Sequence, residues 1–159
     1  MTFLATISQQ IQTNLPKVPA QITRFTPPSV LEAFLNIAVN HLLQAERSQG
    51  DLEFLRGKTA HVEITDLNFN FSLTLVGQRL AVKVPGVTGD ATLKSDQASM
   101  LKILHGEVDP DTLFFRRKLL ITGDTELGLY IKNMIDTIDL KQRIPKPFML
   151  FLSKINEIS

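Results

Sequence analysis

The chain of 159 residues has no cysteine and no tryptophan, and tyrosine occurs once. Without cysteine there is no disulfide, no thiolate zinc site, no iron–sulfur cluster ligated by this chain and no thiol nucleophile. This suits a reducing compartment. Acids are missing from the start of the chain: Glu32 is the first, preceded only by the bases Lys17 and Arg24. No stretch reaches the roughly 20 apolar residues that span a bilayer. The opening MTFLATISQQIQTNLPK has neither a basic leader nor an apolar core, so it does not read as a signal peptide. The expected location is the cytoplasm, with peripheral contact to a membrane left open.

Catalytic signatures are missing as well. There is no G-x-S-x-G elbow, H-E-x-x-H pair, P-loop or G-x-G-x-x-G turn. His41, His61 and His105 fall on different predicted elements without ligand spacing. Asp109, Asp111, Asp124 and Glu126 could be read as an acid–base group or a hard-metal site. Each also stands at a turn or helix start, where a carboxylate accepts backbone N–H groups, and capping is the better reading. No metal, no cofactor and no catalytic residue is expected.

What the chain does have is ordinary globular material: 43% apolar and 21% charged residues, with a net charge of +1. Its ends are basic. Lys141, Arg143, Lys146 and Lys154 face only Glu157 after residue 140, while acids outnumber bases in the body between. Basic ends can meet an anionic surface such as a membrane; no nucleic-acid partner is expected.

Periodicity divides the chain into an arm, residues 1–28, and a domain, residues 29–159. Phe3, Leu4, Ile7, Ile11 and Leu15 make a short amphipathic helix that could pack on its own domain, on a second subunit in a homodimer, or on lipid. Four prolines make 16–28 a linker. A helix then runs to about Gln49, with Leu31, Phe34, Leu35, Ala38, Leu42 and Ala45 as its apolar face, stopped by Gly50-Asp51. From Thr59 the period becomes two. Four short strands follow, among them Leu67–Leu75 with Phe69, Phe71 and Leu73 facing inward, and Leu80–Val84 with Val82 inward. Each has one polar face, which predicts a sheet covered on one side only. A helix bearing Met100, Leu101 and Leu104 starts at Ser95-Asp96. Leu113-Phe114-Phe115 follows the Asp109-Pro110-Asp111 turn, Lys118–Gly123 is a fifth strand, and Leu127, Tyr130, Ile131, Met134, Ile135 and Ile138 stripe the next helix. The fold class is α+β, five strands with helices on one face.

These apolar faces must converge on one side of one sheet. They can fill it solid or enclose a long cavity, and the residue pattern leaves both open. The cavity candidates are Phe69, Phe71, Leu73, Val82, Leu101, Leu104, Leu113, Phe114, Phe115, Leu127, Tyr130, Ile131 and Met134. The triplet Arg116-Arg117-Lys118 could meet an anionic headgroup at a cavity mouth or form a solvated edge. Phe148-Met149-Leu150-Phe151-Leu152 is apolar nearly all round, with Lys141, Arg143 and Lys146 before it. Such a helix must be buried, dock on a partner or lie at a lipid surface. Arg116, Arg117, Lys141, Arg143, Lys146, Phe148 and Phe151 are the candidates for headgroup or membrane contact.

Two runs carry a family resemblance: Asp109-Pro110-Asp111-Thr112-Leu113-Phe114-Phe115 and Gly123-Asp124-Thr125-Glu126-Leu127-Gly128-Leu129-Tyr130. They resemble the UbiT-type accessory factors of ubiquinone biosynthesis, within the sterol carrier protein 2-like family. The likeness extends through most of 30–140 and is strongest in 109–133. It implies a five-stranded sheet with helices around a lipid tunnel, which would make the apolar face a cavity. It also implies a non-catalytic role in oxygen-independent ubiquinone synthesis, with isoprenoid quinone precursors and phospholipid as ligands. The implied protein partners are iron–sulfur hydroxylases of the UbiU/UbiV type. Two other readings stand beside it: a protein-only scaffold with a filled core, and a general phospholipid or fatty-acid carrier.

Overall fold

Residues whose side chains alternate between apolar and polar form five strands. They are β1 (Ala60–Ile64), β2 (Phe69–Val76), β3 (Arg79–Lys83), β4 (Ala91–Ser95) and β5 (Leu119–Gly123) in a computed structural model that describes residues 27–144. The predicted helices at 3–15 and 147–158, nearly all of the proline-rich arm, and Lys146, Phe148 and Phe151 lie outside the described residues. The strands form one sheet in the order β3-β2-β1-β4-β5. β1 runs parallel to β4, and every other pairing is antiparallel. Gly77, at φ 63°, supplies the left-handed position of the tight β2–β3 hairpin.

The helices are α1 (Pro28–Leu42), α2 (Gln44–Gln49), α3 (Gln97–Leu104), α4 (Pro110–Phe115), α5 (Thr125–Thr137) and α6 (Leu140–Arg143). The single helix predicted up to Gln49 is divided at Leu43, and Gly50 ends its second half at φ 78°. Aspartates start the later helices. Asp96 accepts from Ser99 N at 2.7 Å, Asp109 from Thr112 N at 2.6 Å, and Asp124 from Leu127 N at 3.1 Å. Each satisfies a donor that the first helical turn leaves without a partner.

One face of the sheet is apolar and carries the main core. Leu75, Leu80, Ala60, Ala91, Leu93 and Leu119 pack with Leu52, Leu55, Leu113, Leu127 and Ile131. Helix α5 approaches β5 closely because Gly128 has no side chain: a Cβ there would overlap Ile121 Cγ2. A second, smaller cluster joins Leu101 and Leu104 of α3 to Leu42 of α1, Leu140 of α6 and Ile144.

Two expectations need correction. First, the polar face is not left wholly to solvent. With β3 at the edge and β4 inside, the 84–90 connection must pass β2 and β1. It does so across the polar face, where Gly86 N donates to Asn70 Oδ1 at 2.8 Å and Val87 N to Ser72 Oγ at 3.1 Å. His61 Nδ1 lies 2.9 Å from Val87 O, and Ser72 is buried. Second, α1 does not simply turn an apolar stripe inward, and Ala45 is exposed. Its polar row Glu32, Asn36 and Asn40 meets the backbone of β3. Asn36 bonds both N and O of Val82 (2.9 and 3.1 Å), Asn40 both of Leu80 (2.8 and 2.8 Å), and Glu32 Oε1 accepts from Val84 N at 3.0 Å. Four residues of helix rise about 6 Å and two residues of strand about 6.7 Å, so the two ladders stay in step.

Candidate functional site

The strand register groups the helix-facing side chains into rows. Val82 lies beside Leu73, Phe71 beside Val62, and Phe69 beside Ile64. Five of these six, all but Leu73, belong to neither apolar cluster that the described residues form. They are adjacent, on β1, β2 and β3. Val62 and Val82 are buried, whereas Ile64, Phe69 and Phe71 are half-buried. The Phe69 and Phe71 rings lie 6.0 Å apart at 43°. This patch carries no polar side chain. It can contact hydrocarbon; it has nothing with which to activate or polarise a substrate.

The predicted cavity residues are distributed unevenly. Phe69, Phe71 and Val82 meet in the patch, and Leu73 borders it on the main core. Leu113, Leu127 and Ile131 are core members, with Met134 packed against them. Leu101 and Leu104 belong to the second cluster. Phe114 is half-buried, with the Lys132 ammonium 5.6 Å from its ring centre. Phe115 and Tyr130 are not interior: they are 79% and 52% exposed. Tyr130 stacks outside on Phe54 at 5.7 Å, and Phe115 stands edge-on to Phe114 at 5.5 Å. Val62 and Ile64, which adjoin Phe71 and Phe69 in the patch, are not among the cavity candidates read from the sequence. Their alternation was visible, but their place beside Phe71 and Phe69 depends on strand register.

The predicted headgroup contacts also separate. Arg116, Arg117 and Lys141 are exposed. Arg143 is engaged: it pairs with Glu46 and donates to Leu42 O at 2.9 Å. It lines an open, polar groove with His41, Leu42, Gln44, Ala45 and Ser48.

Of the four carboxylates, Asp109, Asp111 and Asp124 are engaged structurally, and Glu126 is exposed. The Lys58 ammonium, which donates to Asp124 at 2.8 Å, holds that carboxyl below its usual range, with the Leu127 N–H adding to the effect; Lys58 is pushed up in turn. Hydrogen bonds from Thr112 lower Asp109. Asp111 is not a cap: it pairs with the buried Lys132. Among the described residues, no group of three or more His, Cys, Asp or Glu side chains could hold a metal ion. No helix among them is long and apolar enough to cross a membrane.

A five-stranded mixed sheet with helices on its apolar side is an α+β arrangement that comparison with known families makes specific. Residues 39–136 match the SCP-2 sterol transfer family, and the chain belongs to that family. Among curated proteins it is similar to the ubiquinone biosynthesis accessory factor UbiT of Escherichia coli strain K12. The two are 36% identical over 143 residues, which cover 89% of this chain and 79% of the relative. The protein of the same name from Escherichia coli O157:H7 matches to the same extent. Among solved structures, the UbiJ-SCP2 ubiquinone synthesis protein superposes with a TM-score of 0.55 at 18% identity. That match covers 76% of this chain and 98% of the other, a likeness of fold.

Proposed function

We propose that this chain is a non-catalytic, lipid-binding accessory factor of ubiquinone biosynthesis. It shields the tail of isoprenoid quinone intermediates and presents their rings to hydroxylases of the UbiU/UbiV type in the oxygen-independent branch. The observation that carries this reading is the contiguous apolar patch of Val62, Ile64, Phe69, Phe71 and Val82, which the described core leaves unclaimed. Membership of the SCP-2 sterol transfer family and the 36% identity to UbiT support it.

The physical reasoning is short. Each methylene of a prenyl tail costs about 0.8 kcal/mol in water, so such a substrate stays in the membrane unless a protein covers the tail. An iron–sulfur hydroxylase working in solution needs that cover. This chain, without cysteine, supplies no cluster of its own; any redox chemistry belongs to its partners.

The test is mass spectrometry of lipids extracted from the purified, folded protein. Prenylated phenols or quinones in near-stoichiometric amount are the expected result. Phospholipid alone would make the chain a general lipid carrier. No lipid, from protein with a sharp melt, would overturn the reading in favour of a protein-only scaffold.

A further inference from the structure

Where α4 gives way to the turn before β5 stands Phe115, at 79% the most exposed large apolar side chain among the described residues. Arg116, Arg117 and Lys118 follow it, all exposed. None of the three forms an ion pair among the described residues, although Arg56, Lys58, Lys94, Lys132 and Arg143 all do. The turn is firmly built. Arg116 N donates to Thr112 O at 3.0 Å, Arg117 N to Phe114 O at 3.1 Å, and Lys118 N to Leu113 O at 2.8 Å. Lys118 O accepts from Ser95 Oγ at 2.8 Å. Arg117 adopts the left-handed region, φ 59°, where side chains other than glycine are uncommon.

We propose that this turn docks the protein on an anionic bilayer, with Phe115 entering the interface and Arg116, Arg117 and Lys118 meeting the lipid phosphates. One protruding aromatic followed by three cations is too small for a stable protein interface, which needs about 800 Å² from each partner. An anionic bilayer suits it. Phenylalanine settles at the acyl boundary, while long basic side chains lay their stems on apolar surface and keep their charges at the headgroups. Near such a surface each cation strengthens binding roughly fivefold, and three together about 100-fold. The proposal rests on the lipid-handling reading in one respect: a carrier of membrane-held cargo has to visit the membrane.

Flotation of the full chain with vesicles tests it. One set is phosphatidylcholine; the other mixes it equally with phosphatidylglycerol. The expected result is binding to the anionic set, weakened by salt. Binding should fall about 100-fold in R116Q/R117Q/K118Q and clearly in Phe115→Ser, with melting unchanged because all four side chains are exposed. Equal binding to both vesicle sets, no binding, or undiminished binding by the triple variant would each overturn the proposal. So would loss of self-association in Phe115→Ser with vesicle binding intact, which would make the turn a contact between two copies. Lipid extracted from the wild-type protein is measured separately, so an empty carrier that still docks through this turn would sink the cargo reading and leave the docking surface standing.

Discussion

The side-chain amide of Asn40 forms both backbone hydrogen bonds of Leu80, donating to its carbonyl and accepting from its N–H, each at 2.8 Å. It stands where a neighbouring strand would stand. Asn36 repeats the arrangement at Val82, so α1 closes the β3 edge with side chains rather than with a sixth strand. Open edges invite pairing with other chains, and this one is covered. Asn40→Ala would leave a buried donor and acceptor unpaired and should destabilise the fold by about 2–4 kcal/mol. Asn36→Ala, at a half-buried site, should cost less. Denaturant unfolding of the two variants checks both size and order.

Gly128→Ala should destabilise by about 1–3 kcal/mol, although alanine is the better helix former. The new methyl would overlap Ile121 Cγ2. Ile121→Ala should relieve that overlap, so the double variant should lose less stability than the two single losses added together. Additive losses would show that α5 moves away from β5 freely.

The acid dependence of stability should pass through Asp124. Its carboxyl is held low by the Lys58 ammonium and then by the Leu127 N–H. A carboxyl whose folded pKa lies below its unfolded value stabilises the fold above the unfolded value, and that contribution is lost as pH falls through the folded one. Lys58, pushed up, loses its share only as pH rises through the strongly alkaline range. Asparagine caps a helix about as well as aspartate, so Asp124→Asn removes the ion pair and keeps the cap. The stability gap between wild type and variant should be open at neutral pH and close on acidification below the ordinary carboxylate range. Chemical unfolding at several pH values measures it.

Lys132 and Asp111 should respond unequally. The lysine side chain is 7% exposed and the aspartate 47%. Asp111→Ala leaves a buried ammonium with no counter-ion, held only by Asn133 Oδ1 and the Phe114 ring, and should cost about 2–3 kcal/mol. Lys132→Met keeps the packing, removes the buried charge and should fall within about 1 kcal/mol of wild type. Thermal and denaturant unfolding of both variants decides the comparison.

Phe71→Arg should abolish co-purification of lipid with only a modest loss of stability. Phe71 is half-buried and outside both apolar clusters. Lipid retained by the folded variant would move the cargo away from this patch.

Local signals in the sequence determined most of the elements. Period-two alternation marked the strands, apolar spacing marked α3 and α5, and Asp96, Asp109 and Asp124 announced three helix starts through their short acceptor side chains. The run from Asp109 to Tyr130 carried the family. Tertiary structure decided what depends on residues distant in sequence. Whether Phe115 and Tyr130 point inward could not be read from an apolar run, because what covers a side chain belongs to other elements. The place of β4 beside β1 sends the 84–90 connection across the polar face, and the antiparallel register of β1 with β2 places Phe71 beside Val62. Asn36 and Asn40 look like a polar stripe destined for water; only the free backbone of β3 beside them makes them part of the sheet. Register and edge pairing are relations between segments, and no window along one segment contains them.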